Sequence, residues 1–460
     1  MKSVLLVNPY RDYKRYLPAP LQSLSRYTAT LENLEELWQP ADMAYLIALL
    51  RKSCNAAFLD AHLYGIPAES IDFGRYDTVA VSTAPYEKWR CTQIFFRHAL
   101  DVLERAKRSG CRTVIYGPHP TVAPEEFSEV DAVLVGEPEG GIEEAVHSSR
   151  KGVFAPEPVM DLDTLPEPEY SIFNRLRYDA RIYFEGRVRG NVAMIIGSRG
   201  CPYACSFCFK AMVTSQVRYH SPGYILSVAE RLVRELGCRV FVFDDLTFTL
   251  NREWTLELLK GLKPLQVRFA VSTRADRLDE EMVSALARSG CVKIEIGVET
   301  ASDENLAGMG KNITWAQARD AVLLCRKHRI PVISAFRMIF VPGETRASIG
   351  ETLAQCRALG LDTFPNICTP YPGTPLWDMG VKEGKIRGDA IHWEDAVLAA
   401  GTVGTDFSRE EIASISDSIA WKSHRPYLQS VMKYGRTYGY GKLFGKIART
   451  AAARFQKRKG

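Results

Sequence analysis

The sequence lacks the features that mark several common classes of protein. No apolar run approaches the roughly 20 residues of a membrane-spanning helix. The opening MKSVLLVNPY has only five apolar residues before Asn8 and Pro9, which is too few for a signal-peptide core, so we expect a buried strand and a cytoplasmic protein. The net charge of +5 over 460 residues is too small to indicate a nucleic-acid partner.

The cysteines lack the pattern of a disulfide framework or of a zinc finger. Three of the 11, Cys201, Cys205 and Cys208, fall within GCPYACSFC, and the others are scattered, so we expect most of those to be reduced core residues. Three clustered thiolates favour zinc or an iron–sulfur cluster. A structural zinc site needs four ligands, and no second cysteine pair stands at finger spacing, although His220 could complete the set. A four-iron cluster with three cysteines would instead leave one iron open.

Two stretches of alternating strands and helices predict an α/β protein. Residues 1–148 predict a Rossmann-like parallel sheet domain covered on both faces. Residues 149–189 contain Pro-rich DLDTLPEPEY and predict an ordered linker. Six longer strand–helix units over residues 190–380 predict a partial (β/α)6 barrel, and residues 381–460 predict a small helical C-terminal region. Ligands of both sheet types bind at the carboxyl ends of strands, and the cysteine segment follows the first barrel strand.

In this context CPYACSFC resembles the CxxxCxxC signature of the radical S-adenosylmethionine (radical SAM) enzymes. The resemblance implies that Cys201, Cys205 and Cys208 ligate a [4Fe–4S] cluster whose fourth iron binds SAM. One electron then cleaves SAM to methionine and a 5′-deoxyadenosyl radical. The resemblance assigns SAM contacts to Phe207 (adenine), Asp244 and Asp245 (amino group), Glu299 (ribose), and Arg274 and Arg337 (carboxylate). Ordinary salt bridges at the barrel mouth are the alternative for the charged residues among them.

Motifs in the first domain resemble the radical SAM subgroup with an N-terminal cobalamin-binding domain. These motifs are GPHPT (117–121), VDAVLVGEPEG (130–140) and DLDTLPEPEY, so the resemblance covers about residues 1–380. Small residues at strand ends let the backbone approach a large flat ligand. The cobalamin contacts implied are Ser82, Thr83, Gly117, His119, Thr121, Gly136 and Glu137.

The lower face of the cobalt has two sets of candidate residues. The loop APYEKW after the third strand is expected to cover it, through Tyr86 or Trp89. His62 lies in DAHLYG, which spells the DxHxxG motif of a histidine that ligates cobalt in other cobalamin proteins. The motif follows the second strand here and the first strand there, so we expect His62 to be a surface or loop histidine.

We consider three hypotheses about function, of which the resemblance implies the first two, and no catalytic side chain can be named from the sequence. The first is methylation of an unactivated carbon or phosphorus centre in a small-molecule biosynthetic intermediate, via methylcobalamin and a 5′-deoxyadenosyl radical. The second is oxidation, cyclisation or ring rearrangement that uses cobalamin without net methyl transfer. The third, a non-catalytic sensor or scaffold, is disfavoured by the intact cysteine trio. An enzyme of this kind needs an external electron donor such as flavodoxin or ferredoxin.

The C-terminal tail is strongly basic. From Val431 onward it has nine Lys or Arg residues and no acidic residue, with a narrow apolar stripe at Leu443, Ile447, Ala451 and Phe455. A solvated terminal helix is the favoured interpretation. Contact with a membrane surface or an anionic substrate is the alternative, although the stripe offers little apolar area.

Overall fold

Two parallel sheets of six strands each dominate the computed structural model, which describes residues 1–10, 39–84, 96–173, 178, 180–184, 187–361 and 365–422. A two-stranded antiparallel ribbon accompanies them. Among the described residues, no helix combines the length and the apolar character needed to cross a bilayer.

The first sheet is formed by short apolar strands that are buried on both faces. Its strands are β1 (Ser3–Asn8), β2 (Asn55–Asp60), β3 (Thr78–Ser82), β4 (Arg112–Tyr116), β5 (Ala132–Leu134) and β6 (Gly152–Phe154). Its helices are α1 (Ala41–Leu50), α2 (Ala61–Tyr64), α3 (Arg97–Arg108), α4 (Pro118–Val122) and α5 (Ile142–His147). Continuous apolar runs such as SVLLVN and TVAVS suit this burial on both faces.

The strand order of the first sheet, β2-β1-β3-β4-β5-β6, reverses direction between β1 and β3. Such a switch point opens a crevice at the carboxyl ends of the strands, where ligands bind in open parallel sheets. Residues 11–38 after β1 and residues 85–95 after β3, which include Tyr86 and Trp89, lie outside the described residues.

The second sheet curls into a half-barrel with its strands in sequential order. Its strands, with the ribbon β8–β9 inserted after the first, are β7 (Val192–Ile195), β8 (Ser198–Arg199), β9 (Arg218–Tyr219), β10 (Val240–Phe243), β11 (Arg268–Arg274), β12 (Cys291–Glu299), β13 (Val332–Ile339) and β14 (Asn366–Ile367). Parallel neighbours in sequential order place all six carboxyl ends at one rim.

Helices precede, connect and follow the strands of the half-barrel. They are α6 (Ala180–Tyr183), α7 (Pro222–Leu236), α8 (Arg252–Leu262), α9 (Glu280–Arg288), α10 (Asp303–Gly308), α11 (Trp315–Lys327), α12 (Arg346–Ala358), α13 (Pro375–Lys382), α14 (Trp393–Leu398) and α15 (Arg409–Lys422). Polar caps begin several of them: the side chains of Ser221, Asp279 and Thr374 accept backbone N–H groups of α7, α9 and α13.

The predicted α/β class is confirmed, with a parallel N-terminal sheet, a partial barrel and a helical C-terminal part. Strand β6 falls within residues 149–189, which the sequence placed in a linker, and it extends the first sheet by pairing with β5. The domain boundaries otherwise stay predictions. The basic tail lies outside the described residues.

Candidate active site

The three predicted cluster ligands lie in one loop at the mouth of the half-barrel. This cysteine loop, residues 200–217, joins β8 to β9. Burial raises the pKa of Cys208 to about 12, and the nearby Cys205 and Cys201 add to the increase. Yet among the described residues no three His, Cys, Asp or Glu side chains converge on a single ion position. The three thiols nevertheless lie near enough to one another to interact electrostatically.

Backbone hydrogen bonds hold the cysteine loop from three directions. The Cys201 N–H donates to the Thr214 carbonyl at 2.9 Å within the loop. The Ser206 N–H donates to the Met309 carbonyl at 2.9 Å, and the Ser206 carbonyl accepts from Leu376 N–H at 3.1 Å. The residue after α10 and the first turn of α13 therefore fix the middle of the loop.

Tyr203 within the loop is held by three cations. The Arg274 guanidinium lies 3.7 Å from the centroid of its ring, and Arg277 Nε donates to its hydroxyl at 2.8 Å. The Lys210 ammonium donates to its backbone carbonyl. These contacts attach the segment between Cys201 and Cys205 to the end of β11.

Glycine is required at the start of the loop. Gly200 has φ of +102°, a conformation that L side chains rarely adopt. A Cβ added there would overlap the carbonyl oxygen of Gln216, because the two ends of the loop run side by side. The residue before Cys201 can therefore carry no side chain without spreading the loop.

The predicted SAM-binding residues lie near the same rim. Asp244 and Asp245 follow β10 and are buried, and the Asp245 carboxylate accepts a hydrogen bond from Ser198. Arg274 ends β11, and Arg337 on β13 is paired in register with Glu299 on β12. A further predicted residue, Phe207, packs partly buried against the core.

Two of these residues already have ionic partners. Glu299 Oε1 lies 2.7 Å from the ammonium of Lys311, a residue that the sequence analysis missed. Arg274 Nε donates to Asp276 at 2.9 Å and its Nη2 donates to the Lys311 carbonyl at 2.7 Å, whereas its buried Nη1 has no hydrogen-bond partner among the described residues. In this structure Glu299 therefore forms a salt bridge, which was the alternative to a SAM contact. The SAM contacts stay predictions.

A buried carboxyl group lies beyond β13, in the turn VPGE. Glu344 Oε2 accepts the Val341 N–H at 3.2 Å. Burial raises the pKa of Glu344 to about 7, despite hydrogen bonds from Val341, Phe340 and Thr300 that act in the opposite direction. The group therefore titrates near neutral pH at the edge of the site.

At the first sheet, the predicted cobalamin-binding residues gather at the ends of β3, β4 and β5. Ser82 and Thr83 are fully buried, and Thr83 N–H donates to the Tyr116 carbonyl at 2.9 Å. The Thr83 hydroxyl has no hydrogen-bond partner among the described residues. Gly117 has φ of +122°, and a Cβ there would lie 2.5 Å from that hydroxyl. A ligand atom that bonds the Thr83 hydroxyl would satisfy an otherwise costly buried group.

Thr121 ties the loops after β4 and β5 together. Its hydroxyl donates to the Gly117 carbonyl at 2.7 Å and accepts the Gly136 N–H at 3.0 Å. The structure thus brings Thr83, Gly117, Thr121 and Gly136 to one strand-end edge. Their contact with cobalamin stays a prediction.

His119 and His62 have different surroundings. The His119 ring packs between Phe96 and Trp393, with centroids 4.9 Å and 4.6 Å away, so a residue of α14 that the sequence analysis missed covers it. His62 lies on α2 after β2, and β1 separates that edge strand from β3. This places His62 away from the strand ends that carry Thr83 and Gly136.

Four buried charged residues join the first sheet to the cysteine loop, and we call them the interdomain ion cluster. Arg199 of β8 lies 3.3 Å from Glu137 and 2.6 Å from Glu139. Arg218 of β9 donates to both carboxylate oxygens of Glu137. All four side chains are at most 3 % exposed. The Glu137 carboxylate, assigned to cobalamin from the sequence, is therefore engaged by two arginines.

His220, the histidine that could have completed a zinc site, lies beside this cluster. Its Nε2 is 3.2 Å from the Tyr45 hydroxyl and its Nδ1 is 3.1 Å from the Asp163 carboxylate. Burial, with a contribution from Arg199, lowers the pKa of His220 to about 4, so the ring is neutral. Because both ring nitrogens are engaged, this arrangement leaves none for a metal beside the cysteines.

The cysteine motif and the fold agree with known families. Residues 195–356 match the family model described as the Radical SAM superfamily, so the predicted radical SAM domain is confirmed. A protein of Pyrococcus horikoshii named as an uncharacterized methyltransferase is 28 % identical over 74 % of this chain and 78 % of its own. The bacteriochlorophyllide d C-12(1)-methyltransferase of Chlorobaculum tepidum is 27 % identical, with 74 % and 73 % covered. The anaerobic magnesium-protoporphyrin IX monomethyl ester cyclase of Cereibacter sphaeroides is also 27 % identical, with 74 % and 60 % covered.

Two solved structures superpose on most of this chain. The radical SAM methyltransferase TsrM of Kitasatospora setae superposes with a TM-score of 0.62 at 16 % identity, over 89 % of this chain and 84 % of its own. The cobalamin-dependent radical SAM enzyme OxsB superposes with a TM-score of 0.66 at 16 % identity, over 98 % and 71 %. At this identity the likeness is one of fold, and it includes both parallel sheets.

A first prediction concerns the start of the cysteine loop. Gly200→Ala should reduce the iron bound after anaerobic reconstitution, because the new Cβ pushes Gln216 away and moves Cys201. The matched control is Gly237→Ala, where φ is +60° but no atom lies within 4 Å of the new Cβ. It should cost about 1–2 kcal/mol of stability and leave iron binding unchanged. Full iron content in Gly200→Ala would contradict the prediction.

A second prediction follows from the raised pKa of Glu344. The folded protein keeps a proton on Glu344 that the unfolded chain releases above about 4.5, so stability from this group is lost as pH rises toward and through about 7. The full loss is up to about 3 kcal/mol. Glu344→Gln should therefore flatten the fall in melting temperature between about pH 5 and pH 8.5. Glu351→Gln, on the exposed side of α12, should leave the wild-type slope, and an unchanged slope in Glu344→Gln would refute the assignment.

Proposed function

We propose that this protein is a cobalamin-dependent methyltransferase, because residues 195–356 match the Radical SAM superfamily and the fold is that of cobalamin-dependent radical SAM enzymes. Its target would be an unactivated carbon or phosphorus centre of a small-molecule biosynthetic intermediate. The observation that carries the proposal is the attachment of the cysteine loop to the loop after β5 by the interdomain ion cluster. This contact brings the ligand-binding edges of two parallel sheets together, as a reaction that needs two cofactors requires.

The cofactors proposed are a [4Fe–4S] cluster, SAM and cobalamin. Bound there, the cluster would supply the one-electron cleavage of SAM, and cobalamin would supply the methyl group. Cys201, Cys205 and Cys208 would hold the cluster, in a loop whose backbone is already fixed by Met309 and Leu376. The protein would contribute geometry, since both cofactors carry their own chemistry.

SAM would lie along the rim of the half-barrel. The free Nη1 of Arg274 is the atom best placed to bind its carboxylate, because the other nitrogens of that guanidinium are held by Asp276 and Lys311. Arg337 would add a second positive charge. Asp244 and Asp245 for the amino group, Glu299 for the ribose and Phe207 for the adenine complete the proposed contacts.

Cobalamin would lie against the edge formed by β3, β4 and β5. The Thr83 hydroxyl offers an unused donor and acceptor, and Gly117 and Gly136 let a ligand approach the backbone. Ser82, Thr121 and the backbone of Glu137 border the same edge, with His119 behind it under Trp393. Tyr86 remains a proposed residue of the lower face.

Cyclisation or ring rearrangement without methyl transfer is a second candidate, because one relative is named a cyclase. The two reactions differ in their use of SAM. Methylation converts one SAM to S-adenosylhomocysteine and cleaves a second to methionine and 5′-deoxyadenosine. Both need an electron from an outside donor, for which we propose flavodoxin or ferredoxin.

The function is tested by anaerobic reconstitution with iron, sulfide and hydroxocobalamin, followed by desalting and metal analysis. We expect one cobalt and four irons per chain, and S-adenosylhomocysteine formed in step with product. Cys205→Ala should lose iron and SAM cleavage, whereas Cys291→Ala, at a buried cysteine in the core, should keep both. Iron without cobalt would overturn the cobalamin proposal, and 5′-deoxyadenosine with product but no S-adenosylhomocysteine would favour the cyclase.

The cobalamin edge is tested by Thr83→Val. Removing a buried hydroxyl that lacks a partner should keep or raise stability, by about 1 kcal/mol, because the methyl group fits the same space. It should weaken hydroxocobalamin binding in an equilibrium titration. The matched control is Thr113→Val at the start of β4, whose hydroxyl bonds Asp131 at 3.0 Å. That variant should lose stability and keep the wild-type affinity for hydroxocobalamin. Equal affinities for hydroxocobalamin in the wild type, Thr83→Val and Thr113→Val would contradict the proposed edge.

A further inference from the structure

We propose that Arg199, Arg218, Glu137 and Glu139 are positioning residues that fix the cysteine loop relative to the strand-end edge of the first sheet. This inference rests on the proposed function, in which the four residues would fix the position of one cofactor site relative to the other. The proposal reassigns Glu137 from binding cobalamin to holding the loop that carries Cys201.

The two arginines stand at both ends of the cysteine loop. Arg199 precedes Cys201 by two residues, and Arg218 follows directly after the loop. They belong to facing positions of the ribbon, since β8 and β9 pair Arg199 with Arg218. Any movement of the ribbon therefore moves the loop at both ends.

The two carboxylates stand directly beyond the predicted cobalamin edge. Glu137 follows Gly136, whose N–H is held by the Thr121 hydroxyl, and Thr121 in turn holds the Gly117 carbonyl. A continuous series of contacts thus runs from the loop after β4, through the loop after β5, to the residue next to Gly200. Each step is a hydrogen bond, an ion pair or a peptide bond.

Burial gives the ion cluster a rigid geometry. Two positive and two negative charges balance one another, and Arg218 bonds both oxygens of Glu137. Arg218 Nη1 also donates to the Val159 carbonyl at 2.7 Å, so the linker segment joins the same cluster. With water excluded, a partner that moves away leaves an uncompensated buried charge, which is strongly unfavourable. The cluster therefore resists small relative displacements of its two sides.

Neighbouring aromatic contacts hold the ribbon on the side of α1. The Arg199 guanidinium lies 5.6 Å from the centroid of the Tyr45 ring. Tyr45 also contacts His220, the residue that follows β9, through its hydroxyl. The ribbon is thus held by α1, by the loop after β5 and by the linker, all outside the half-barrel that contains the cysteine loop's other anchors.

A charge-balanced double variant tests the proposal without leaving a buried charge unpaired, because Arg199 and Glu139 remain as an ion pair. Arg218→Met with Glu137→Gln removes one charge of each sign, and such replacements of buried ion pairs are often tolerated in folding. The control is Leu286→Ala, at a fully buried residue of α9, a helix that carries none of the four charged residues; the cavity it leaves lowers stability. Comparing the double variant with Leu286→Ala, each corrected for its own stability, then separates a loss of positioning from general destabilisation.

The first measurement is hydrogen exchange of peptides covering residues 198–219 in the full chain without cofactors. We expect these peptides to exchange at least about tenfold faster in the double variant and at the wild-type rate, corrected for stability, in Leu286→Ala. Equal exchange in the wild type and the double variant would overturn the proposal. This measurement does not depend on the proposed function.

The second measurement is the Kd of hydroxocobalamin for iron-loaded and iron-free protein. If the ion cluster links the two sites, iron loading should tighten cobalamin binding in the wild type by at least about fivefold. The ratio of the Kd of iron-free protein to the Kd of iron-loaded protein should fall to about one in the double variant, although each cofactor still binds. In Leu286→Ala this ratio should stay at the wild-type value. A ratio of one in the wild type, or an unchanged ratio in the double variant, would overturn the link. No cobalamin binding in any protein would instead refute the proposed function and leave hydrogen exchange to decide on positioning.

Discussion

The buried ion cluster of Arg199, Arg218, Glu137 and Glu139 is the interaction on which the arrangement of the two sheets around the cysteine loop depends. Removing four charges from water is costly, and a packed apolar contact of equal volume would often be as stable. The ion pairs add orientational specificity, because planar guanidinium groups bond carboxylates only in a narrow range of orientations. An apolar contact would hold the two domains together, but it would fix their mutual orientation less strictly.

The elements around the cysteine loop all support its conformation. The ribbon anchors both ends of the cysteine loop, Met309 and Leu376 hold its middle, and Arg274 with Arg277 holds Tyr203. No segment of the loop between β8 and β9 is regular, so none of its shape comes from a helix or strand of its own. The loop takes its conformation from the elements around it, which is the usual way in which a functional loop is made precise.

The sequence predicted what depends on local pattern and missed what depends on distant pairing. Apolar strands such as VKIEIGVE and capped helices such as α7 carry their period in consecutive residues, and the motif of Cys201 carries its own spacing. Strands β8 and β9 have two residues each, too few for a period. Arg199 and Arg218 lie 62 and 81 residues from Glu137, so only the folded chain shows that the glutamate has partners. From the sequence alone, an acid after a strand end looked like a ligand contact.

The two edges of the site differ in the physical means by which they would recognise a ligand. The rim of the half-barrel is charged: Arg274, Lys311 and Glu299 are buried there, and each has a partner that holds it in place. Fixed charges of this kind bind a polar ligand without reorganisation, because the protein has already met the cost of orienting them. The edge of the first sheet is nearly neutral, with Ser82, Thr83 and Gly117 presenting backbone and hydroxyl groups. Recognition there would depend on shape and close approach, so the rim suits a small zwitterion and the edge suits a large flat ligand.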